Sequence, residues 1–349
     1  MNHMTVIHRD TLSCEPILRR MPNGELLCVS QCGDVTEPAP GNRVVVFHSA
    51  DEGKSWSGPT LIIPDTGEAV YLTEVTVFRD RVVVYLTLHN GAFLNWRSQR
   101  VESRDCGYTW QTLGPLEGEE TFSFPRGAIR LPDGRYMMAS QHYPVTALEN
   151  ARLVQRGARW LDADIEDADI DRVENRILVS SDEGATWRRL GQVDIPMKGN
   201  TGRRWVWSEP TILDLRDGRI AMLLRVCGSG RLFYAESSDG GMHFTNPIPT
   251  DIPNPGNKPK LIRLADGRIA LIHTPNATLG FAGRNPLSIW LSRDEMKSFP
   301  DRREICCFPG AFCYPDGFSE GNHIRFAIEF NRKDILYVDA DVSEGGAAT

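Results

Sequence analysis

The sequence predicts an all-β fold, a six-bladed β-propeller with four antiparallel strands per blade. Three observations predict it. An octamer, Ser-x-Asp-x-Gly-x-Thr/Ser-Trp, recurs along the chain. A second repeat of strand, Asn/Asp-Gly turn and strand interleaves with it, and no helical periodicity of useful length appears.

The octamer stands at Ser49-Ala-Asp51-Glu-Gly53-Lys-Ser-Trp56, at Ser103 to Trp110 and at Ser180 to Trp187, with weaker copies at Ser237 to Phe244 and Ser292 to Phe299. Each reads as a hairpin turn. The Asp accepts from the backbone that follows it, Gly supplies a positive φ, and the aromatic returns to the core as the next strand starts. A β-rich run precedes each turn, such as Val44-Val45-Val46-Phe47 or Arg231-Leu-Phe-Tyr234.

The second repeat runs from Glu15-Pro16 to Asn23-Gly24, from Pro125 to Asp133-Gly134, from Glu209-Pro210 to Asp217-Gly218 and from Lys258-Pro259 to Asp266-Gly267. A degenerate copy surrounds Arg79-Asp80-Arg81, and a last one starts at Tyr314-Pro315. Strand, Asn/Asp-Gly, strand is the strongest short hairpin signal. The alternating hairpins give four strands per unit and six units, closing as radial blades. The terminal segments Thr5-Val6-Ile7 and Ile335 to Val338 are expected to share the closing blade. The chain therefore reads as one domain over residues 1–349, with a loop insertion at about 146–174 over one face, where the octamer spacing stretches.

Composition narrows the function. With 39 Lys+Arg against 46 Asp+Glu the net charge is -7, which argues against nucleic acid or an anionic membrane as partner. No apolar run approaches a bilayer span, and no basic segment followed by an apolar one opens the chain, so a cytoplasmic protein is expected. Eight cysteines without a CxxC pair read as buried free thiols. The acidic run Asp162, Asp164, Glu166, Asp167, Asp169, Asp171 lacks the spacing of a calcium loop and reads as solvated surface. Neither a metal site nor a cofactor is expected.

On the face opposite the octamer turns, second strands end near Gln31, His89, Gln141-His142 and His273-Thr274. First strands start there near Glu15, Arg126, Lys258 and Tyr314. A ring of His, Arg, Lys, Glu and Tyr suits acid/base chemistry on an anionic sugar. Trp205 and Trp207 precede Glu209, where an indole could stack on a sugar ring.

The octamers are the Asp-box (BNR) repeat, and the order of elements resembles the sialidase superfamily of six-bladed propellers over nearly the whole chain. The resemblance implies an arginine triad for the substrate carboxylate, a Tyr nucleophile paired with a Glu, and an Asp acid/base. Glu209, followed 16 residues later by Arg225, resembles the family's Glu and second triad Arg. Arg284 stands where the third Arg is expected, and Tyr314, 30 residues on, resembles the nucleophile. The first Arg would stand two residues before the strand-opening Pro, where this chain has Cys14; Arg19 and Arg20 are out of register.

The implied activity is exo-glycosidic cleavage of a terminal acidic sugar from an oligosaccharide. Tyr314 and Glu209 would do the chemistry, with Asp34 or Glu37 as acid/base candidates and His89 and His142 as further titratable groups. Arg225, Arg284, Lys258, Arg126, His273, Trp207, Gln31 and Gln141 would hold the substrate. Two other readings stay open: a polysaccharide lyase or His-dependent glycosidase acting on uronates, and a non-catalytic glycan-binding propeller.

Overall fold

The computed structural model describes residues 3–159, 170–196 and 207–344, and these form six four-stranded antiparallel sheets. Blade I comprises β2 (Ser13–Arg20), β3 (Leu26–Cys32), β4 (Arg43–Ser49) and β5 (Thr60–Leu61). Blade II comprises β6 (Ala69–Val77), β7 (Val82–His89), β8 (Arg97–Ser103) and β9 (Gln111–Gly114). Blade III comprises β10 (Ser123–Arg130), β11 (Tyr136–His142), β12 (Arg172–Ser180) and β13 (Arg188–Pro196). Blade IV comprises β14 (Ser208–Asp214), β15 (Ile220–Val226), β16 (Arg231–Ser237) and β17 (Ile248–Pro253). Blade V comprises β18 (Lys260–Arg263), β19 (Ile269–His273), β20 (Leu287–Ser292) and β21 (Asp301–Cys306). Blade VI joins β22 (Phe312–Glu320), β23 (His323–Phe330) and β24 (Asp334–Asp341) to the N-terminal β1 (His3–Arg9).

The first strand of each blade lies innermost. β2 touches β6, β6 touches β10, and so on through β14, β18 and β22 back to β2, which closes the ring. Pairing of Thr5 with Tyr337 and Val6 with Leu336 ties the two ends of the chain into blade VI, as the terminal segments suggested. Blades pack face to face, so inner and middle strands such as β7 are buried along their whole length and read as continuous apolar runs. Outer strands such as β5 are exposed.

All five Asp-box turns use the same hydrogen bonds. In the third, Ser180 Oγ donates to Asp182 at 2.7 Å and accepts from Gly184 N at 2.9 Å, while Asp182 accepts from Thr186 N at 2.9 Å and Thr186 Oγ1 at 2.6 Å. Asp51, Asp105, Asp239 and Asp294 make the equivalent bonds. A side-chain network thus satisfies the turn, and these aspartates are structural.

Four inner strands carry β-bulges on the axial side: at Cys14/Ile17, Leu72/Glu74, Arg126/Ile129 and Cys313/Asp316. Glu15 and Tyr314 sit in two of them at φ of 52° and 56°. A bulge re-aims a side chain and a positive φ strains a non-glycine residue, so each marks a position where geometry overrode propensity.

The insertion at about 146–174, read from sequence as a loop, contains α1 (Ala147–Gln155). Thr146 caps it by accepting from Glu149 N at 3.1 Å, and Leu153 buries into an aromatic cluster with Tyr71, Phe93, Trp96, Phe124 and Tyr143. The helix is nine residues long with one buried position, too short to show a period. Its cap pair, Thr146 and Glu149, was the available signal. Trp205 and the acidic run from Asp162 to Asp169 lie outside the described residues. Among the described residues no helix is long and apolar enough to cross a membrane. All eight cysteines are free; Cys14, Cys28, Cys32 and Cys313 are buried as expected, but Cys307 is exposed.

The turns predict contrasting substitutions. Gly134 and Gly184 both have positive φ, but a Cβ on Gly134 meets open space whereas one on Gly184 meets the Phe78 ring. Gly134→Ala should cost about 1–2 kcal/mol, and Gly184→Ala more than twice that, in denaturant unfolding.

Candidate active site

Arg126, on β10, lies at the axis with 1% of its surface exposed. Its Nη2 donates to Tyr71 Oη at 2.8 Å and lies 3.4 Å from Glu209 Oε1, while Nη1 lies 3.4 Å from Glu15 Oε2. Three inner strands from three other blades therefore converge on one guanidinium.

Glu209 faces Arg225 directly in the β14–β15 register. Arg225 Nη1 donates to Glu209 Oε2 and to Tyr314 Oη, both at 2.5 Å. Arg284, which follows a short 3-10 turn, and Lys258, two residues before β18, lie 5.6 and 5.7 Å from the Tyr314 ring centroid. Arg284 donates through Nη2 to Gly256 O at 2.9 Å, while its Nε and Nη1 have no partner. Arg225 Nε and Arg126 Nε are unpartnered as well.

Burial and charge set the protonation states. Burial alone would raise Glu209, but Arg225, Arg126 and Lys258 outweigh it and hold the carboxylate down at about 2. Burial raises the Tyr314 phenol well above its ordinary value, so it is neutral. Burial also lowers Lys258. Glu15 behaves oppositely to Glu209: burial, reinforced by Glu209 and Glu37, lifts it to about 8 against Arg126 and Lys258.

A second layer lies deeper along the inner strands. Arg19 bridges Glu74 at 2.7 Å and Asp316 at 2.5 Å, and Lys260 reaches Asp316 at 3.0 Å. Arg19, out of register for the triad, is a pin between blades I, II and VI.

Five residues singled out from sequence thus meet at the axis: Arg126, Glu209, Arg225, Tyr314 and, beside them, Lys258, with Arg284 close by. Others do not. Asp34 is exposed and its carboxylate accepts from Val35 N at 2.7 Å and Gly41 N at 3.2 Å, holding its own loop. His89 is fully buried between Phe93 and Trp96, and its Nδ1 accepts from Gly91 N. His142 bonds Ser123 Oγ at 2.8 Å beside the Glu174–Arg176 pair of β12. His273 stands edge-on to Trp290 with neither ring nitrogen partnered. Burial pulls all three histidines down to about 3, so they are neutral packing residues.

Gln31 and Gln141 are fully buried one strand behind the ring and donate to Glu37 and Tyr143. Trp207 packs edge-on against Phe93, Phe124 and Tyr143 in the aromatic cluster. Tyr71 and the role of Glu15 were missed, although Glu15-Pro16 repeats Glu209-Pro210 in the sequence. A separate cavity of about 530 Å³ between blades IV and V is lined by Tyr234, Trp290, Phe299 and Arg302 and touches none of the axial residues.

Fold and cluster together define an Asp-box propeller with an arginine-rich polar axis. Residues 72–325 match the BNR repeat-like domain, and the chain belongs to that family. No curated protein matches the sequence. Among solved structures, the chain is similar to a protein of unknown function from Dyadobacter fermentans, at 18% identity and a TM-score of 0.72, over 97% of this chain and 98% of that one. It is also similar to the Hadza microbial sialidase Hz136, at 14% identity and a TM-score of 0.73, over 97% and 68%. The NanB sialidase from Streptococcus pneumoniae is 13% identical with a TM-score of 0.69, over 97% and 70%. At these identities the likeness shows a shared sialidase-like fold.

Removing Arg126 should take from the buried Glu209 carboxylate one of its two guanidinium partners, leaving Arg225, and should break the hydrogen bond to Tyr71. Arg126→Gln should destabilise the fold by about 3–5 kcal/mol at neutral pH. The loss should shrink as pH falls toward 5, because without Arg126 the Glu209 carboxyl titrates higher and takes up a proton in the folded state, Glu15 being protonated already; urea unfolding across pH checks the sign.

Proposed function

We propose that the protein is a carbohydrate-active enzyme, an exo-glycosidase that releases a terminal acidic sugar with Tyr314 as nucleophile. The observation that carries this reading is the sharing of Arg225 Nη1 by Tyr314 Oη and Glu209, with Arg284 and Lys258 flanking the Tyr314 ring. Two of the similar structures are sialidases, which supports the sugar class.

A neutral phenol can approach an anomeric carbon beside a carboxylate, where an anionic Asp or Glu would be repelled. Tyr314 Oη forms a bond to that carbon and passes its proton to the Glu209 carboxylate, while the glycosidic C–O bond breaks and the leaving oxygen takes a proton. Water then displaces Tyr314 Oη, which regains its proton from Glu209. Glu209 stays ionised at any working pH, because its carboxyl is held down at about 2. Its basicity is therefore low while Arg225 and Arg126 hold it, and would rise if the substrate carboxylate drew Arg225 away.

The substrate carboxylate would be held by Arg284 and Arg225, whose unpartnered N–H groups are planar donors suited to it, with Lys258 adding charge. Cys14 in place of a third arginine makes the clamp weaker than a full triad. His89 contacts Phe93 and Trp96, His142 bonds Ser123, and burial holds both neutral, which favours the tyrosine reading over a His-dependent one.

The test is release of 4-methylumbelliferone from its N-acetylneuraminic acid and glucuronic acid glycosides. The wild type should hydrolyse at least one. Tyr314→Phe should lower kcat at least about 10²-fold, and Arg284→Met should raise KM about 10-fold or more through loss of charged hydrogen bonds. Full activity in Tyr314→Phe would overturn the mechanism, and binding of either sugar without turnover would make the propeller a lectin-like module.

A further inference from the structure

We propose that Glu15 is the proton donor of this site, holding the proton that the leaving oxygen takes as the glycosidic bond breaks. The inference rests on the reading of Tyr314 and Glu209 given above.

Position is the first argument. Glu15 opens β2 as Glu209 lies in β14 and Tyr314 in β22, each directly before a proline. Glu15 and Tyr314 alone among these carry a positive φ, at 52° and 56°, within bulges that turn them toward the axis. Strain of this kind persists where the surroundings enforce it, typically at functional sites.

Bonding is the second. Among the acidic groups near the axis, Glu209, Asp316, Glu74 and Glu37 are each held by cations, amides or backbone donors. Glu15 has one long contact, and Glu329 of β23, one strand behind, leaves Oε1 without a hydrogen bond. Glu209 is held through both oxygens by Arg225 and Arg126. Asp316 is held by Arg19 and Lys260, and Glu74 by Arg19 and the backbone of Ala128. Glu37 accepts from Gln31 and Arg332. The Glu15 carboxyl has one contact among the described residues, to Arg126 at 3.4 Å, shared with Glu209.

The third argument is the surrounding charge. Glu15 faces Arg126 from β10, Glu209 from β14, Tyr71 from β6, Lys258 ahead of β18, Tyr314 from β22 and Glu37 from the loop after β3. Glu329 of β23 accepts the Glu15 backbone N–H at 3.1 Å. Two carboxyls sharing one guanidinium in a dry site do not both ionise readily. Burial, with Glu209 and Glu37, accordingly lifts Glu15 to about 8, so it is protonated at neutral pH. A substrate anion held beside it would raise it further.

In the first half-reaction the Glu15 carboxyl gives its proton to the leaving oxygen and becomes a carboxylate beside Arg126. In the second it takes a proton from the water that attacks the anomeric carbon, and the site is restored.

The test pairs Glu15→Gln with two leaving groups on the sugar that the wild type hydrolyses. The methyl glycoside should lose about 10²–10⁴-fold in kcat/KM, the 4-methylumbelliferyl glycoside far less, since its phenolate leaves without a proton. The alkaline limb of the wild-type kcat/KM profile should vanish in the variant. Equal losses with both leaving groups and an unchanged limb would overturn the proposal. A second measurement needs no turnover. In protein carrying 13C-labelled Glu carboxyls, the resonance missing from Glu15→Gln should titrate above neutral pH in the wild type. Titration in the ordinary carboxylate range overturns the role of Glu15. A high titration point with no hydrolysis of any probe overturns the proposed activity instead.

Discussion

A single buried guanidinium organises the centre of this propeller. Arg126 of blade III contacts Glu15 of blade I, Tyr71 of blade II and Glu209 of blade IV, and through Glu209 and Arg225 the chain of contacts reaches Tyr314 of blade VI. Inner strands of a propeller expose few neighbours to one another beyond their side chains, so what fills the axis decides how the blades meet. An apolar plug would pack the blades as well or better, because buried ion pairs repay their desolvation poorly. Polar filling with carefully placed counter-charges is therefore better understood as preorganisation of a site than as a device for stability.

The two faces of the molecule divide these tasks. On one face the Asp-box turns repeat the same Ser and Asp hydrogen bonds five times, each closed within its own turn. On the other, bulges and positive φ values hold side chains in conformations that the local sequence does not favour. The rigid turns and the packed blade faces supply the restraint that makes such strain sustainable, and the second layer of Arg19, Glu74, Asp316 and Lys260 supports the first from beneath.

The fold was legible in the sequence because turn chemistry is local: Ser, Asp and Gly at fixed offsets state their own hydrogen bonds. Glu209 and Arg225 were legible for a related reason, since hairpin arithmetic across Asp217-Gly218 places them opposite one another. His89, His142 and His273 show the limit of that arithmetic. Counting along a strand gives depth between the two faces of the propeller, but alternation decides whether the side chain points to the axis or into a neighbouring blade. All three stand at the right depth, and all three rings pack within or between blades. One-residue bulges in the inner strands break the count further, which is why the conformation and role of Glu15 could not be read from Glu15-Pro16 alone.

The charge balance at the axis also constrains what can bind. Glu209 neutralises part of Arg126 and Arg225, and a protonated Glu15 neutralises nothing. Arg284 and Lys258 then flank Tyr314, nearly buried and in no direct ion pair among the described residues, although Lys258 feels Asp316 and Glu209 at longer range. A neutral sugar entering this space would strip water from two cations and return no counter-charge, which is costly in a site of low dielectric. An anionic group placed over the Tyr314 ring satisfies both cations at once and strengthens the hold of Glu15 on its proton. The absence of an arginine at Cys14 leaves room for that proton beside the anion, where a third guanidinium would have driven Glu15 to ionise.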